Sequence, residues 1–322
     1  MNLLGVALGS RNRAGRATQV EVAGDVLPEQ ERPARRGRSR NRYPLWFLLP
    51  AVIIYAILFV APTFSSFYFS LTRWSLFRIE FIGLENFKTF FNEPYLYESL
   101  VHTLIYAVLT SGAKVVLGLL LGALLTSQVV GRGYLRNVVF FPVLVSTVGV
   151  GLTFAVLLNP SDGLVNEVLR FLGVHGPGWL TDPSLALISI ALVDVWKGVG
   201  LATLIYIAGI VAIPQDYFEA ARVDGAGPLK TFRHVTLPLS WPATTTVIIL
   251  SLIGGLRSFD LIWTMTRGGP GFTSDVLASI VFKQYQAGFY GLSTAGNVVL
   301  FLLVTAIILP LNWFLSRREP EQ

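Results

Sequence analysis

Six stretches of this sequence run for about twenty residues or more with few or no charges, the length a helix needs to cross a bilayer core. They are Pro44 to Leu71, Thr103 to Thr126, Val138 to Leu158, Leu185 to Ala212, Thr244 to Thr264 and Leu292 to Leu315. In lipid every backbone polar group has to be satisfied inside the segment itself, so apolar runs of this length are expected to be helices. The expected fold is therefore all-α and integral to the membrane, with six transmembrane helices. Composition agrees, since 53% hydrophobic and 14% charged residues leave too few charges to solvate a globular surface. With no cysteine in the chain, disulfides, thiol nucleophiles and Cys-based metal sites are excluded, and the redox compartment cannot be read.

The net charge of +6 is a topology signal and not a nucleic-acid footprint, because so much of it lies in one N-terminal stretch. Residues 1–43 hold nine arginines, from Arg11 to Arg42, among Gly, Ala, Pro, Gln and Glu. Such a segment cannot bury a core and is expected to be a disordered tail. Met1 to Ser10 lack the charged and apolar regions of a secretory signal, so no cleavage is expected. With the N-terminus inside, sixteen Lys or Arg fall on the inner side, counting the tail, the loops Gly131 to Asn137 and Ile213 to Trp241, and Arg317 with Arg318. The outer side holds six: Arg73, Arg78, Lys88, Arg170, Arg267 and Lys283. The positive-inside rule then places both termini in the cytoplasm. The outer segments Arg73 to Leu100 and Asn159 to Ser184 are longer; the first carries Phe81 to Phe87, expected as a short amphipathic piece at the interface.

Between the fourth and fifth spans the inner loop, 213–241, reads as a helix-turn-helix. Pro214 and Asp216 open a short helix over Tyr217 to Val223, with Asp216 and Glu219 near the positive end of its dipole. Ala220 and Ala221 are small enough to admit a close partner. Asp224-Gly225 makes a turn, Pro228 restarts a helix, and Leu237-Pro238 ends the excursion.

The Glu-Ala-Ala...Gly...Leu-Pro pattern of this loop, Glu219 to Pro238, resembles the ATPase-coupling loop of the membrane subunits of binding-protein-dependent ABC importers. Other motifs are similar to the carbohydrate branch, the relatives of the maltose and glycerol-3-phosphate permeases: Phe81 to Phe87, Ala208-Gly209 with Ile213-Pro214, Phe259-Asp260, and Thr266 to Gly271. The resemblance runs from about Pro44 to Arg318, and with no large insertion the chain is like the compact six-span form. It implies a permease domain over 44–318 flanked by the tail and a cytoplasmic end at 319–322. It also implies partners: a second homologous permease, two ABC ATPase domains and an external solute-binding protein that delivers a sugar, expected to be a di- or oligosaccharide, with glycerol-3-phosphate as the alternative cargo. The coupling residues carried over are Glu219, Ala220, Ala221, Asp224, Gly225, Leu237 and Pro238. No G-x-x-x-x-G-K-[ST] loop occurs in the chain, so ATP and Mg²⁺ are expected on the partner ATPase, with no cofactor on this one.

Charges inside the spans need an explanation, because each costs about 2.5–3.5 kcal/mol at a helix centre. Lys114 and Asp194 are expected to pair across helices. Lys197 and Arg257 have two readings: lining of the sugar path, or a structural one, self-neutralisation of Arg257 with Asp260 three residues on or snorkelling toward an interface. Matched from the coupling loop, the resemblance implies a path along Lys197, Gly198, Leu201, Ser251, Gly255 and Ser258; read from the residues themselves, Arg257 and Asp260 as span charges and Trp196 as a stacking platform for a sugar face are further candidates. Trp196 has a second reading as an interfacial anchor. Gly118, Gly122, Gly198 and Gly200 suit close helix packing. His102, His175 and His234 are scattered and make no catalytic set. The rival to an ATP-driven permease is an ion-gradient-driven secondary transporter, which would show repeated halves with broken helices; no repeat is visible. Enzyme motifs and channel filters are likewise absent from the sequence.

Overall fold

The structure, a computed structural model, describes residues 45–75 and 77–317. The expected tails at 1–43 and 319–322, and Pro44 and Arg318, lie outside the described residues. The chain divides at Val52. On its N-terminal side a 3₁₀ turn, Leu45–Leu48, leads into helix α1, Leu49–Tyr55.

From Ile53 onward the elements are nearly all helical. A π-helical turn at Ala56–Val60 precedes α2, Ala61–Ser70. Pro62 explains the widened turn, since it lacks the N–H owed to the carbonyl four residues back and its ring pushes that carbonyl away. A hairpin of β1, Thr72–Trp74, and β2, Ile79–Phe81, follows, antiparallel with Arg73 opposite Glu80. Then come α3, Glu85–Asn92, and α4, Pro94–Thr126. Next are α5, Arg132–Leu144, α6, Thr147–Leu157, α7, Leu164–Phe171, and α8, Ala186–Val211. The loop helices are α9, Gln215–Val223, α10, Pro228–Thr231, a second π turn at Phe232–Thr236, and α11, Leu237–Leu239. The chain closes with α12, Trp241–Leu256, α13, Asp260–Met265, α14, Leu277–Gln286, and α15, Tyr290–Ser316.

Four helical stretches are long and apolar enough to span alone: Trp46–Ser70, Pro94–Thr126, Ala186–Val211 and Tyr290–Ser316. The third expected span, Val138 to Leu158, is not one helix. It breaks after Leu144 into α5 and α6, bent by 96°, because Pro142 weakens the last turn and Ser146, a residue type that favours helix starts, opens the next. The fifth, Thr244 to Thr264, is also interrupted. Its α12 stops at Leu256 behind the poor helix formers Gly254 and Gly255, and α13 starts afresh at Asp260. The helical run 228–239, which continues through Pro238 instead of ending there, bends 67° into α12. Counting each bent pair as one, the chain has up to six spans. The second expected span starts nine residues too late, since α4 runs back to Pro94.

Packing centres on α4, which lies against α8 and α12, while α15 packs on α2 and α14, and α13 on α6. Helices α4 and α8 are parallel and close. A Cβ on Gly118 would stand 2.8 Å from the Ala202 Cβ, and one on Gly122 2.7 Å from that of Tyr206. Small residues four apart let the two backbones approach, which dispersion rewards in the absence of water. The Phe81 to Phe87 piece is strand, turn and helix rather than one amphipathic unit. Asn86, buried, donates to the carbonyls of Ser70 and Thr72, both at 2.8 Å, and pins α3 beneath the hairpin. The Thr266 to Gly271 segment is braced by Asp275, which is fully buried and accepts from Ser279 Oγ at 2.7 Å and Lys283 Nζ at 2.5 Å.

At the far end of α15, the Trp241 indole donates to the Leu315 carbonyl at 3.3 Å. The hairpin end and the loop-helix end are therefore separated by the 27 residues of α15, about 40 Å of helix.

Candidate functional site

Two regions gather the residues singled out in the sequence. The first is a cavity of 190 Å³ between α4, α8 and α12, lined by Lys114, Gly198, Leu201, Ala202, Ile205, Val247, Leu250, Ser251 and Gly254. Gly198, Leu201 and Ser251 were expected on the path, and Lys114 and Gly254 were not. The Lys114 ammonium lies 2.7 Å from the Asp194 carboxylate, the cross-helix pair expected from the sequence. Gly198 makes that geometry possible, because a Cβ there would sit 2.6 Å from Lys114 Cε. Asp194 also interacts with the hydroxyl of Tyr106, a fully buried residue that in turn receives a hydrogen bond of 3.4 Å from Ser258 Oγ. One polar chain thus joins α4, α8 and the break between α12 and α13.

The other expected path residues lie outside this cavity. Gly255 is buried against α4, where its Cβ would stand 2.7 Å from Ala107 Cα, so it serves packing. Trp196 packs its ring against Phe154 at 5.2 Å. Lys197 is half-buried, and Arg257 and Asp260 are exposed. The self-neutralising pair of Arg257 with Asp260 does not form: the ion pairs of the described residues join Arg73 with Glu80 and Glu85, Lys114 with Asp194, and Lys283 with Asp275. The helix break at Arg257–Phe259 removes the i,i+3 geometry such a pair requires.

The second region is the helix-turn-helix. Helix α9 has no buried residue, and Glu219 and Ala220 stand exposed on it with Ala221 half-buried. Its end is closed by two bonds, Ala226 N–H to the Ala221 carbonyl at 2.9 Å and Gly225 N–H to the Arg222 carbonyl at 3.0 Å. That is the Schellman arrangement, and it needs Gly225 in the left-handed region, where it sits at φ +70°. On either side of Asp224 and Gly225 the apolar side chains of Val223 and Leu229 are 88% and 79% exposed. Leu237 and Pro238 are exposed on the run into α12. Proline at 238 follows the second π turn as Pro62 follows the first, and the same missing donor accounts for both. A larger hollow of 870 Å³ lies at the opposite, hairpin end, among Arg73, Trp74, Glu93, Tyr95 and Phe289.

A parallel helix core with a protruding, uncovered loop helix is an arrangement that known proteins share. Residues 114–319 match the family described as binding-protein-dependent transport system inner membrane component. The chain belongs to that family. The resemblance read from the loop motif is thereby borne out, and as a member the chain is a transport component of a membrane, with several membrane-spanning helices. Among its relatives is the trehalose/maltose transport system permease protein MalF of Thermococcus litoralis, 35% identical over 80% of this chain and 88% of that one. Another is the sn-glycerol-3-phosphate transport system permease protein UgpA of Pectobacterium atrosepticum, 30% identical over 87% of this chain and 96% of that one. The fold is shared with a solved bacterial ABC transporter involved in the import of the acidic polysaccharide alginate. That chain superposes with a TM-score of 0.76 at 24% identity, over 84% of this chain and 94% of that one.

Proposed function

We propose that this permease is one of two similar membrane subunits of an ATP-driven ABC importer that carries a di- or oligosaccharide into the cell. The observation that carries the reading is α9, a capped helix without a single buried residue, presented about 40 Å from the hairpin end. On this reading a partner ATPase receives α9 in a surface cleft, with Glu219, Ala220 and Ala221 at the contact and Gly225 fixing the turn. ATP and Mg²⁺ belong to that partner. When two ATPases close on ATP, α9 moves with them, and the helical run 228–239, which bends into α12, passes the motion to the helices around the cavity. At 190 Å³ the cavity is smaller than the about 300–1,000 Å³ of a complete small-molecule site, in keeping with half a path completed by the second subunit. The large hollow at the hairpin end faces the external solute-binding protein. Both termini and α9 lie in the cytoplasm, six spans cross the membrane, and the exposed apolar faces of α2, α5 and α15 meet lipid or the second permease.

The chain has no cysteine of its own, so single cysteines report topology cleanly. Val223→Cys on α9 is expected to react with a membrane-impermeant maleimide only in inverted vesicles and to be protected when the ATPase is bound, whereas Phe77→Cys reacts in intact cells. Labelling of Val223→Cys from outside the cell overturns the proposal.

A further inference from the structure

The cavity between α4, α8 and α12 has one charged lining residue, Lys114, and that charge is already matched. Its ammonium sits 2.7 Å from Asp194, with the two side chains 10% and 19% exposed. The two other cations of the spans do not contribute: neither Lys197 nor Arg257 lines the cavity. What remains is apolar surface from Leu201, Val247 and Leu250, the Ser251 hydroxyl and the open backbone at Gly254, Gly198 being covered by the Lys114 side chain.

An anionic ligand entering here gives up its hydration for a cation whose charge Asp194 already neutralises, so it gains little net attraction and is repelled by the Asp194 carboxylate behind the ammonium. An uncharged polyol meets no such obstacle. Its hydroxyls can accept from the remaining N–H groups of Lys114 and exchange hydrogen bonds with Ser251 with the pair intact, while its C–H faces rest on Leu201 and Leu250. We infer that the Lys114–Asp194 pair makes this cavity selective for uncharged sugars over uronates, sulfonates and phosphates, Asp194 acting from behind the lining by neutralising Lys114. The inference rests on the proposed function, which places the sugar path in this cavity.

The test is titration calorimetry on the purified assembly, without a binding protein, using maltotriose and a uronic-acid trisaccharide of the same length. The wild type is expected to prefer maltotriose by at least about tenfold. Asp194→Asn, which frees the ammonium, and Ser251→Lys, which adds a cation without touching the pair, are each expected to reverse that preference. Should Asp194→Asn fail to assemble, Ser251→Lys carries the charge test alone. Leu201→Trp fills the cavity and is expected to abolish binding of both sugars. Unchanged binding in Leu201→Trp sinks the cavity assignment itself. Lost binding there, combined with a wild type that prefers the acid or with charge variants that leave the preference unmoved, overturns this inference and leaves the path in place.

Discussion

A lysine in the middle of a membrane helix carries an insertion cost of about 2.5–3.5 kcal/mol, and Lys114 offsets it through a carboxylate 2.7 Å away on the neighbouring helix. Gly198 is what lets the long side chain lie flat across α8, with its Cα facing Lys114 Cε. Breaking the pair from one side leaves the other charge stranded. Asp194→Ala is therefore expected to lower stability by about 3–5 kcal/mol, while replacing both residues with apolar ones of similar size, Lys114→Met with Asp194→Leu, is expected to restore most of it. Thermal unfolding of the purified assembly in detergent measures both, and equal losses in the single and double variants would show that the pair contributes nothing specific. Asp275 is the analogue outside the helical core, buried and held by Lys283 and Ser279, with Gly268 at φ +85° packed against it. It fixes the segment between α13 and α14 that the sequence showed only as a Gly- and Pro-rich motif.

Among the elements, α9 depends on its closing turn. Valine at 225 puts a β-branched side chain into the left-handed region that Gly225 occupies at φ +70°, at a cost of about 1–3 kcal/mol. No atom lies within 4 Å of a Cβ there, so the strain stays local and the rest of the chain folds. Gly225→Val is expected to assemble normally yet hydrolyse ATP with little transport, read as a rise in ATP consumed per sugar moved; an unchanged ratio would remove α9 from the coupling route. This loop was legible from residues because Pro214, Gly225 and Pro228 punctuate it locally. The apolar runs of α4, α8 and α15 were legible for the same reason, being set by composition alone. The breaks were harder. Pro142 with Ser146, and Gly254 with Gly255, were visible signals, yet hydropathy averages over them, so the third and fifth spans read as continuous. The hairpin and α14 were missed because their stability comes from distant partners: Asn86 on the Ser70 and Thr72 carbonyls, and Thr103 Oγ1 accepting from the Leu277 N–H at 2.8 Å. The cavity was half legible. Gly198, Leu201 and Ser251 followed from counting back and forward from the coupling motif, but Lys114 reaches it from α4, outside any local pattern, and Arg257 and Asp260 were separated by a break that spacing does not reveal.

At the scale of the whole molecule, one chain offers a cavity of 190 Å³, a loop helix with no buried residue and many large apolar side chains left exposed. On the proposed function these three features share one explanation, which is that the working unit contains more than this chain. They also separate the account from a secondary transporter, which needs neither an ATPase nor a docking helix. The decisive measurement is sugar uptake into proteoliposomes holding the assembly that co-purifies with this chain, with ATP and an ionophore varied independently. The account predicts accumulation that requires ATP on the α9 side, rises with the external solute-binding protein and survives collapse of every ion gradient. Uptake by this chain alone, without ATP and abolished by the ionophore, would contradict it.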